Sequence, residues 1–213
     1  MPSSPESLLD VVPVMPVVVV HRLADAVPIA RALVAGGLPA IELTLRTPVA
    51  LDAIAAIAAE VPEILVGAGT VVTPGQAKEA QDAGAQFLVS PGATPSLLAA
   101  MTDTGLRFLP GTASVSEVLA VLELGVTEMK FFPAEVSGGA KFLAAVSSPV
   151  PAARFCPTGG ITPANAASYL ALSNVGCVGG SWLTPADLVA ARDWGSIEAL
   201  AREAAALGTE RQV

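Results

Sequence analysis

Residues 40–69, AIELTLRTPVALDAIAAIAAEVPEILVGAG, contain two short apolar runs on either side of a segment with helical periodicity. The runs Ala40–Leu45 and Ile64–Gly69 indicate strands, and the apolar residues of Val49–Glu60 recur between them at helical spacing. A strand, a helix and a second strand in this order predict a right-handed crossover between parallel strands. The segment therefore indicates an α/β fold whose strands are covered on both faces.

The same alternation continues along the chain in both directions. The apolar runs are Val14–Val20, Ala40–Leu45, Ile64–Gly69, Gln86–Ser90, Leu106–Pro110, Glu128–Phe132, Ala153–Pro157 and Val175–Gly179. Eight such units in 213 residues predict one (β/α)₈ TIM barrel domain over residues 1–213. We expect a leading helix over residues 1–12 and a closing helix over Ser196–Leu207. An open doubly wound sheet is the alternative, but Gly67-Ala68-Gly69 lacks the third glycine of a dinucleotide fingerprint, since position 72 is Val72.

The composition favours a small-molecule enzyme over a nucleic-acid or membrane protein. Apolar residues make up 53% of the chain and charged residues 14%, and the formal net charge is −8. An acidic surface opposes binding to nucleic acid, whose phosphates need cations. The apolar stretch Val11–Val20 is broken by Pro13 and Pro16 and follows no cation, which indicates neither a signal peptide nor a membrane span. Cys156 and Cys177 lie in apolar runs, as buried free thiols of a cytoplasmic protein would.

Lys130 is the one lysine of three that lies in a predicted strand, whereas Lys78 and Lys141 lie in polar or helical surroundings. Burial disfavours the charged ammonium form, and an amine nucleophile must lose that charge. Lys130 is therefore the candidate nucleophile. The alternative is a structural salt bridge from Lys130 to Glu128 or Glu135.

The second predicted strand carries polar residues at alternate positions, Glu42 and Thr44, with Arg46 after them. Alternation places these three side chains on one face of the strand. Polar groups on the inner face of a barrel strand are costly unless they line a cavity. Glu42 could then act as a general acid and base, and Arg46 could bind a carboxylate through two hydrogen bonds. A plain Glu42–Arg46 ion pair inside the barrel is the alternative.

Two glycine pairs follow the seventh and eighth predicted strands, in Thr158-Gly159-Gly160 and Gly179-Gly180-Ser181. The loops after these two strands often form a phosphate site in TIM barrels, because backbone N–H groups can approach the oxygens closely. The two pairs therefore favour a phosphorylated substrate. Each pair alone would indicate only a turn.

Other chemistries find little support in the sequence. His21 is the only histidine, and no acidic or cysteine cluster has the spacing of metal ligands. A hydrolase of the Ser-His-Asp type would have to use His21 without a nucleophile-elbow pattern. We therefore expect no metal and interpret His21 as a loop residue.

Six motifs occur in an order that resembles one family, the 2-keto-3-deoxy-6-phosphogluconate (KDPG) and 4-hydroxy-2-oxoglutarate aldolases. The motifs are Glu42-Leu43-Thr44-Leu45-Arg46-Thr47, Val66-Gly67-Ala68-Gly69-Thr70-Val71, Ser90-Pro91-Gly92, Lys130-Phe131-Phe132-Pro133-Ala134-Glu135, Phe155-Cys156-Pro157-Thr158-Gly159-Gly160 and Gly179-Gly180-Ser181-Trp182. The resemblance extends from about Val14 to Ala205. It implies a class I lyase of the Entner–Doudoroff pathway that splits KDPG into pyruvate and glyceraldehyde 3-phosphate. It also implies a homotrimer of (β/α)₈ barrels that needs no cofactor besides its own lysine.

The resemblance implies a role for each matched residue. Lys130 corresponds to the Schiff-base lysine and Glu42 to the general acid and base. The residues that correspond to the pyruvyl end of the site are Arg46, Thr70, Pro91 and Phe132. Those that correspond to the phosphate end are Thr158, Gly159, Gly160, Gly180 and Ser181.

Thr112 departs from the family pattern, which often has an aliphatic residue there, and it could affect the substrate's middle hydroxyl groups. Two related substrates stay open: 4-hydroxy-2-oxoglutarate, which has no phosphate, and the galactonate-derived epimer, which differs at C4. A phosphosugar isomerase or a non-catalytic phosphosugar-binding barrel would belong to a different class. That last option would leave Lys130, Glu42 and Arg46 without a purpose.

Overall fold

The computed structural model describes residues 7–208, and each of the eight predicted apolar runs contains or overlaps a strand. The strands are β1 (Val14–Val18), β2 (Ala40–Thr44), β3 (Leu65–Gly69), β4 (Phe87–Val89), β5 (Arg107–Leu109), β6 (Gly111–Thr112), β7 (Glu128–Phe131), β8 (Arg154–Pro157) and β9 (Val178–Gly180). β1, β2 and β4 are buried along their whole length, as strands covered on both faces must be.

The helices follow the strands in alternation. They are α1 (Leu23–Ala35), α2 (Ala50–Glu60), α3 (Pro74–Asp82), α4 (Pro95–Asp103), α5 (Val115–Leu122), α6 (Gly139–Ser147), α7 (Pro163–Leu170), α8 (Ala186–Ala191) and α9 (Trp194–Ala206). α3, α4 and α7 each begin with proline after a threonine N-cap, since the N–H that proline lacks has no partner in the first turn. α9 contains most of the predicted closing helix.

All strand pairings are parallel, and they run in a ring. One sheet has the order β5-β4-β3-β2-β1-β9, and a second has the order β6-β7-β8. Pro110 alone separates β5 from β6, so these two strands form one barrel strand interrupted by a residue without an N–H. Bridges from Phe155 to Val175 and from Thr158 to Gly179 connect β8 to β9. The parallel sheet therefore curls into a TIM-like barrel, unlike an open doubly wound sheet.

Side chains from the neighbouring strands β2 and β4 occupy the barrel interior beside β3. A β-carbon at Gly67 would lie 2.4 Å from the ring of Phe87 on β4. A β-carbon at Gly69 would lie 2.3 Å from the Oε1 of Glu42 on β2. Real β-carbons do not approach so closely, so both positions require glycine. The interior beside β3 is therefore filled by Phe87 at one level and by Glu42 at the next.

The predicted leading helix over residues 1–12 falls partly outside the described residues, because residues 1–6 are not described. Within the described part, Leu8–Asp10 form a single 3₁₀ turn that Ser7 caps by accepting a hydrogen bond from the Leu9 N–H at 3.1 Å. Leu8 and Leu9 are buried, so this turn packs onto the rest of the fold. No helix between residues 7 and 208 is both long and apolar enough to cross a membrane.

Candidate active site

A buried ion pair joins β7 to β2 inside the barrel. The Nζ of Lys130 donates a hydrogen bond to the Oε1 of Glu42 at 3.0 Å. Lys130 is 3% exposed and Glu42 is 2% exposed, which makes this the most deeply buried ion pair among residues 7–208. An amine and a carboxylate at this distance can exchange a proton directly. Two residues predicted to face the same cavity are therefore in contact.

The proposed salt bridges of Lys130 to Glu128 or Glu135 are wrong. Glu128 instead lies 3.6 Å from the guanidinium of Arg154 and accepts a hydrogen bond from the Leu8 N–H. The carboxylate of Glu135 accepts a hydrogen bond from the hydroxyl of Tyr169 on α7. Lys130 is thus free of both acidic residues that are close to it in sequence.

Phe132 lies beside the lysine, and Pro91 packs on the strand next to it, β6. Lys130 is in register with Gly111 on β6, and a β-carbon at Gly111 would lie 2.2 Å from the backbone of Pro91. The ring centroid of Phe132 is 5.4 Å from the Nζ of Lys130, within the range of a cation–π contact. Both residues are half-buried, and the ring of Phe132 presents apolar surface near the amine.

Arg46 and Thr70 meet where β2 and β3 end. The Nε of Arg46 donates to the Oγ1 of Thr70 at 3.0 Å, and Arg46 is exposed. The alternative of a Glu42–Arg46 ion pair is therefore wrong, because each residue has a different partner. Thr70 has φ +58°, which is strained for a β-branched residue and is typical of functional positions. Thr44 donates to the carbonyl of Val18 at 3.1 Å and so ties β2 to β1.

The two glycine-containing loops lie side by side, because Thr158 and Gly179 form a bridge between them. Gly159 and Gly160 have φ of +97° and +82°, a conformation that favours glycine. The N–H groups of Gly160 and Ser181, which lie outside this bridge, donate to no backbone carbonyl within residues 7–208. These donors are available to an anion, as the predicted phosphate site requires.

Thr158 directly precedes Gly159 and Gly180 directly precedes Ser181, and both residues pack closely against their neighbours. The buried hydroxyl of Thr158 lies 3.4 Å from the carbonyl of Cys156, and a β-carbon at Gly179 would lie 2.2 Å from that hydroxyl oxygen. Gly180 is the last residue of β9, where a β-carbon would lie 2.7 Å from Trp182. These residues support the walls of the loops by close packing.

Thr112 does not face the cavity. It is in register with Phe131, whose ring stacks on Phe142 of α6 at a centroid distance of 4.9 Å, outside the barrel. Residues in register on parallel strands point to the same side. Thr112 is 2% exposed, and its hydroxyl is 3.5 Å from the carbonyl of Lys130. The departure from the family pattern therefore affects packing rather than the substrate's hydroxyl groups.

Two features around the site were missed by the sequence interpretation. His21, Arg22 and Ser181 line a pocket of about 440 Å³. Arg22 also donates two hydrogen bonds to the carboxylate of the buried Asp25 in a bidentate pair. The spacing of Arg22 and Asp25, three residues apart at the start of a helix, could have indicated this pair. Tyr169 of α7 contacts Glu135, but nothing in the sequence relates two residues so far apart. Among residues 7–208, no group of three or more His, Cys, Asp or Glu is placed to hold a metal ion.

Comparison with known proteins gives a consistent result. Residues 6–200 match the family model of the KDPG and KHG aldolases. The KHG/KDPG aldolase of Escherichia coli K12 is 55% identical over 202 residues, which cover 95% of each chain. The 2-dehydro-3-deoxy-phosphogluconate aldolase of Dickeya dadantii is 52% identical over 207 residues, 97% of each chain.

A solved structure of similar fold is the KDPG aldolase of Legionella pneumophila, with pyruvate captured at low pH as a covalent carbinolamine intermediate. It superimposes with a TM-score of 0.91 at 45% identity, over 92% of this chain and 96% of that one. The corresponding aldolase of Zymomonas mobilis gives a TM-score of 0.89 at 49% identity, over 93% and 95%. On the strength of the family model, the relatives and the shared fold, this chain belongs to the KDPG and KHG aldolase family.

Proposed function

We propose that this chain is a class I aldolase that cleaves KDPG into pyruvate and glyceraldehyde 3-phosphate. The observation that carries the proposal is the buried Lys130–Glu42 pair at 3.0 Å, inside the barrel of an aldolase-family chain. A lysine and a glutamate in contact provide both the nucleophile and the proton carrier that Schiff-base chemistry needs. The Legionella relative, whose structure contains a covalent carbinolamine of pyruvate, supports the same chemistry.

In the proposed reaction, Lys130 passes a proton to Glu42 and attacks C2 of the keto acid as a neutral amine. The carbinolamine takes a proton from Glu42, loses water and becomes an iminium ion. Glu42, directly or through a water molecule, then removes the proton of the C4 hydroxyl. The C3–C4 bond breaks, its electrons move into the iminium, and the aldehyde leaves. Protonation of the enamine at C3 and hydrolysis of the imine release pyruvate and free Lys130.

The pyruvyl end of the substrate would be held beside this pair. Arg46 is exposed at the end of β2, so its guanidinium can bind the C1 carboxylate while Thr70 fixes its direction. Phe132 borders the amine, and together with Pro91 it would exclude water from the methyl or methylene carbon at C3. The strained backbone of Thr70 supports this assignment, since such strain persists mainly at binding sites.

The phosphate would bind at the opposite end of the cavity, on the free N–H groups of Gly160 and Ser181, in the loop that Gly159 turns with its positive φ. Thr158 and Gly180 would shape this end from behind. Neutral backbone N–H groups can bind a phosphate dianion through hydrogen bonds. A chain with a net charge of −8 can therefore hold a phosphate without many cationic side chains at the site. Binding at this remote end would also position C3 and C4 for cleavage.

Incubation with pyruvate and borohydride tests the covalent step. We expect one pyruvate-derived group per chain, located at Lys130 by peptide mapping, because reduction makes the imine permanent. Intact mass spectrometry gives the stoichiometry, and omission of pyruvate is the control. Labelling at Lys78 or Lys141, or none, would contradict the mechanism.

Substrate choice can be tested at Ser181, which is exposed and is not held by a special backbone conformation. Ser181→Asp places a carboxylate beside the phosphate, and we expect kcat/KM for KDPG to fall about 10²-fold through charge repulsion. The isosteric but neutral Ser181→Asn should lose much less. Cleavage of 4-hydroxy-2-oxoglutarate, which has no phosphate, should respond little to either change. Equal losses on both substrates would show that Ser181 does not recognise phosphate.

The second candidate substrate is 4-hydroxy-2-oxoglutarate, because the Escherichia coli relative is named for both substrates. The same lysine and the same pyruvyl end would serve it, without the phosphate contacts. The galactonate-derived epimer of KDPG differs only at C4, and kinetic comparison of the two epimers gives the stereochemical preference of the enzyme.

We further propose that residues 1–213 form one domain that works as a homotrimer in the cytoplasm, with no metal or organic cofactor. Cys156 and Cys177 are buried cysteines, which agrees with a reducing compartment. Val136, 84% exposed in the single chain, provides apolar surface that association would cover. The catalytic groups proposed above come from side chains of this chain alone.

A further inference from the structure

The loop after the lysine strand is tied directly to the loop that carries Gly159 and Gly160. We call residues 158–161 the glycine loop. The N–H of Ala134 donates to the carbonyl of Thr158 at 2.8 Å, and the N–H of Glu135 donates to the carbonyl of Gly159 at 3.1 Å. The backbone of Glu135 is therefore fixed against the glycine loop, only five residues after Lys130.

The side chain of Glu135 lies against the same loop. A β-carbon at Gly160 would lie 2.5 Å from the Cγ of Glu135, so that side chain and the loop are in direct contact. Glu135 is exposed, so its carboxylate carries a negative charge beside this loop. If the carboxylate turned toward the free N–H group of Gly160, it would accept that hydrogen bond itself. It would also repel a phosphate at that position.

Tyr169 holds this carboxylate. The hydroxyl of Tyr169, on α7, donates a hydrogen bond to the Oε1 of Glu135, and Tyr169 is 1% exposed. Burial raises the pKa of Tyr169, and the adjacent Glu135 raises it further, so the phenol remains a proton donor at neutral pH. Gly139 leaves room for the contact, since a β-carbon there would lie 3.1 Å from the phenolic oxygen.

We propose that Tyr169 is a positioning residue that keeps the Glu135 carboxylate away from the N–H of Gly160 and so leaves that N–H available to the substrate's phosphate. The proposal rests on the proposed function, because it presumes that the glycine loop binds phosphate. Tyr169 itself touches neither the phosphate nor the reacting carbons. Its effect passes through the charge of Glu135.

Tyr169→Phe removes the phenolic donor and retains the ring. We expect the Kd for inorganic phosphate, measured by ³¹P nuclear magnetic resonance titration, to rise about tenfold from the released negative charge. The KM for KDPG should rise by a similar factor, with a smaller change in kcat. Circular dichroism and borohydride labelling of Lys130 with pyruvate verify that the variant is folded and has an intact reaction centre.

A second substitution separates charge from packing. In the Tyr169→Phe background, Glu135→Gln removes the carboxylate charge at nearly constant volume, and we expect phosphate affinity to return to within about threefold of the wild type. Glu203→Gln in the same background is the matched control. Glu203 is exposed on α9. Its substitution makes the same change in net charge outside the glycine loop, so it should not restore phosphate affinity.

The outcomes are distinct. An unchanged Kd for phosphate in Tyr169→Phe overturns the proposal. A double variant with Glu135→Gln that binds phosphate as weakly as Tyr169→Phe also overturns it, because the loss then reflects packing. Failure of the wild-type protein to cleave KDPG overturns the proposed function instead. The phosphate titration does not depend on turnover, so the two failures can be told apart.

Discussion

Lys130→Met is expected to eliminate cleavage of KDPG, with a loss in kcat of about 10⁴-fold or more, because methionine cannot form an iminium ion. Borohydride and pyruvate should then leave the chain unlabelled. The variant also buries Glu42 without its partner, which should lower the free energy of unfolding by about 3 kcal/mol. Steady-state kinetics and urea unfolding measure the two effects separately.

Lys130→Arg is the matched control for the charge. Arginine keeps a cation beside Glu42, so the variant should be more stable than Lys130→Met, yet its guanidinium is not a nucleophile. Both variants should therefore be inactive, whereas only Lys130→Met should lack the ion pair. An active Lys130→Arg enzyme would rule out Schiff-base catalysis in this chain.

Glu42→Gln should reduce kcat by about 10²–10⁴-fold. The proposed proton transfers need a side chain at position 42 that can gain and lose a proton, and glutamine cannot do so. Glutamine has nearly the same shape and still fits the space that Gly69 leaves open, so the barrel should remain intact. Exchange of the methyl protons of pyruvate with deuterium, followed by nuclear magnetic resonance, reports the enamine step alone. That exchange should slow together with cleavage.

The borohydride experiment serves as the control for this variant. The Glu42→Gln variant keeps the amine of Lys130. Labelling of Lys130 with pyruvate and borohydride should therefore still go to completion on long incubation. If kcat and deuterium exchange stay within a few-fold of the wild type, Glu42 is only the structural partner of the lysine. A different group would then have to carry the protons.

The order of the strands and most helices could be predicted from the sequence because their causes are local. Apolar runs of β length, helical spacing and Thr-Pro helix starts each act within a few residues, and α3, α4 and α7 begin where those signals lie. The eighth strand was displaced, with Val175–Gly179 predicted and Val178–Gly180 observed. The apolar run there begins at an isolated bridge residue, Val175, before the strand proper.

Partners across the barrel were harder to predict. Alternation placed Glu42 on an inner face, but which acidic residue meets Lys130 depends on how the strands close into a ring. Glu128 and Glu135, which are nearby in the sequence, were the alternative partners of Lys130, and both have other partners in the structure. The direction of Thr112 likewise depends on its register with Phe131. Such facts follow from long-range pairing, which a pattern along the chain does not contain.

The two glycines of β3 have a consequence for attempts to change the range of aldehydes that the enzyme accepts. Randomising Gly67 or Gly69 would displace Phe87 or Glu42 rather than reshape the cavity, because any side chain there would enter space already taken. Libraries that include these positions should therefore yield mostly inactive or unfolded clones. Productive variation belongs near Ser181 and His21, whose exposed side chains line an open pocket.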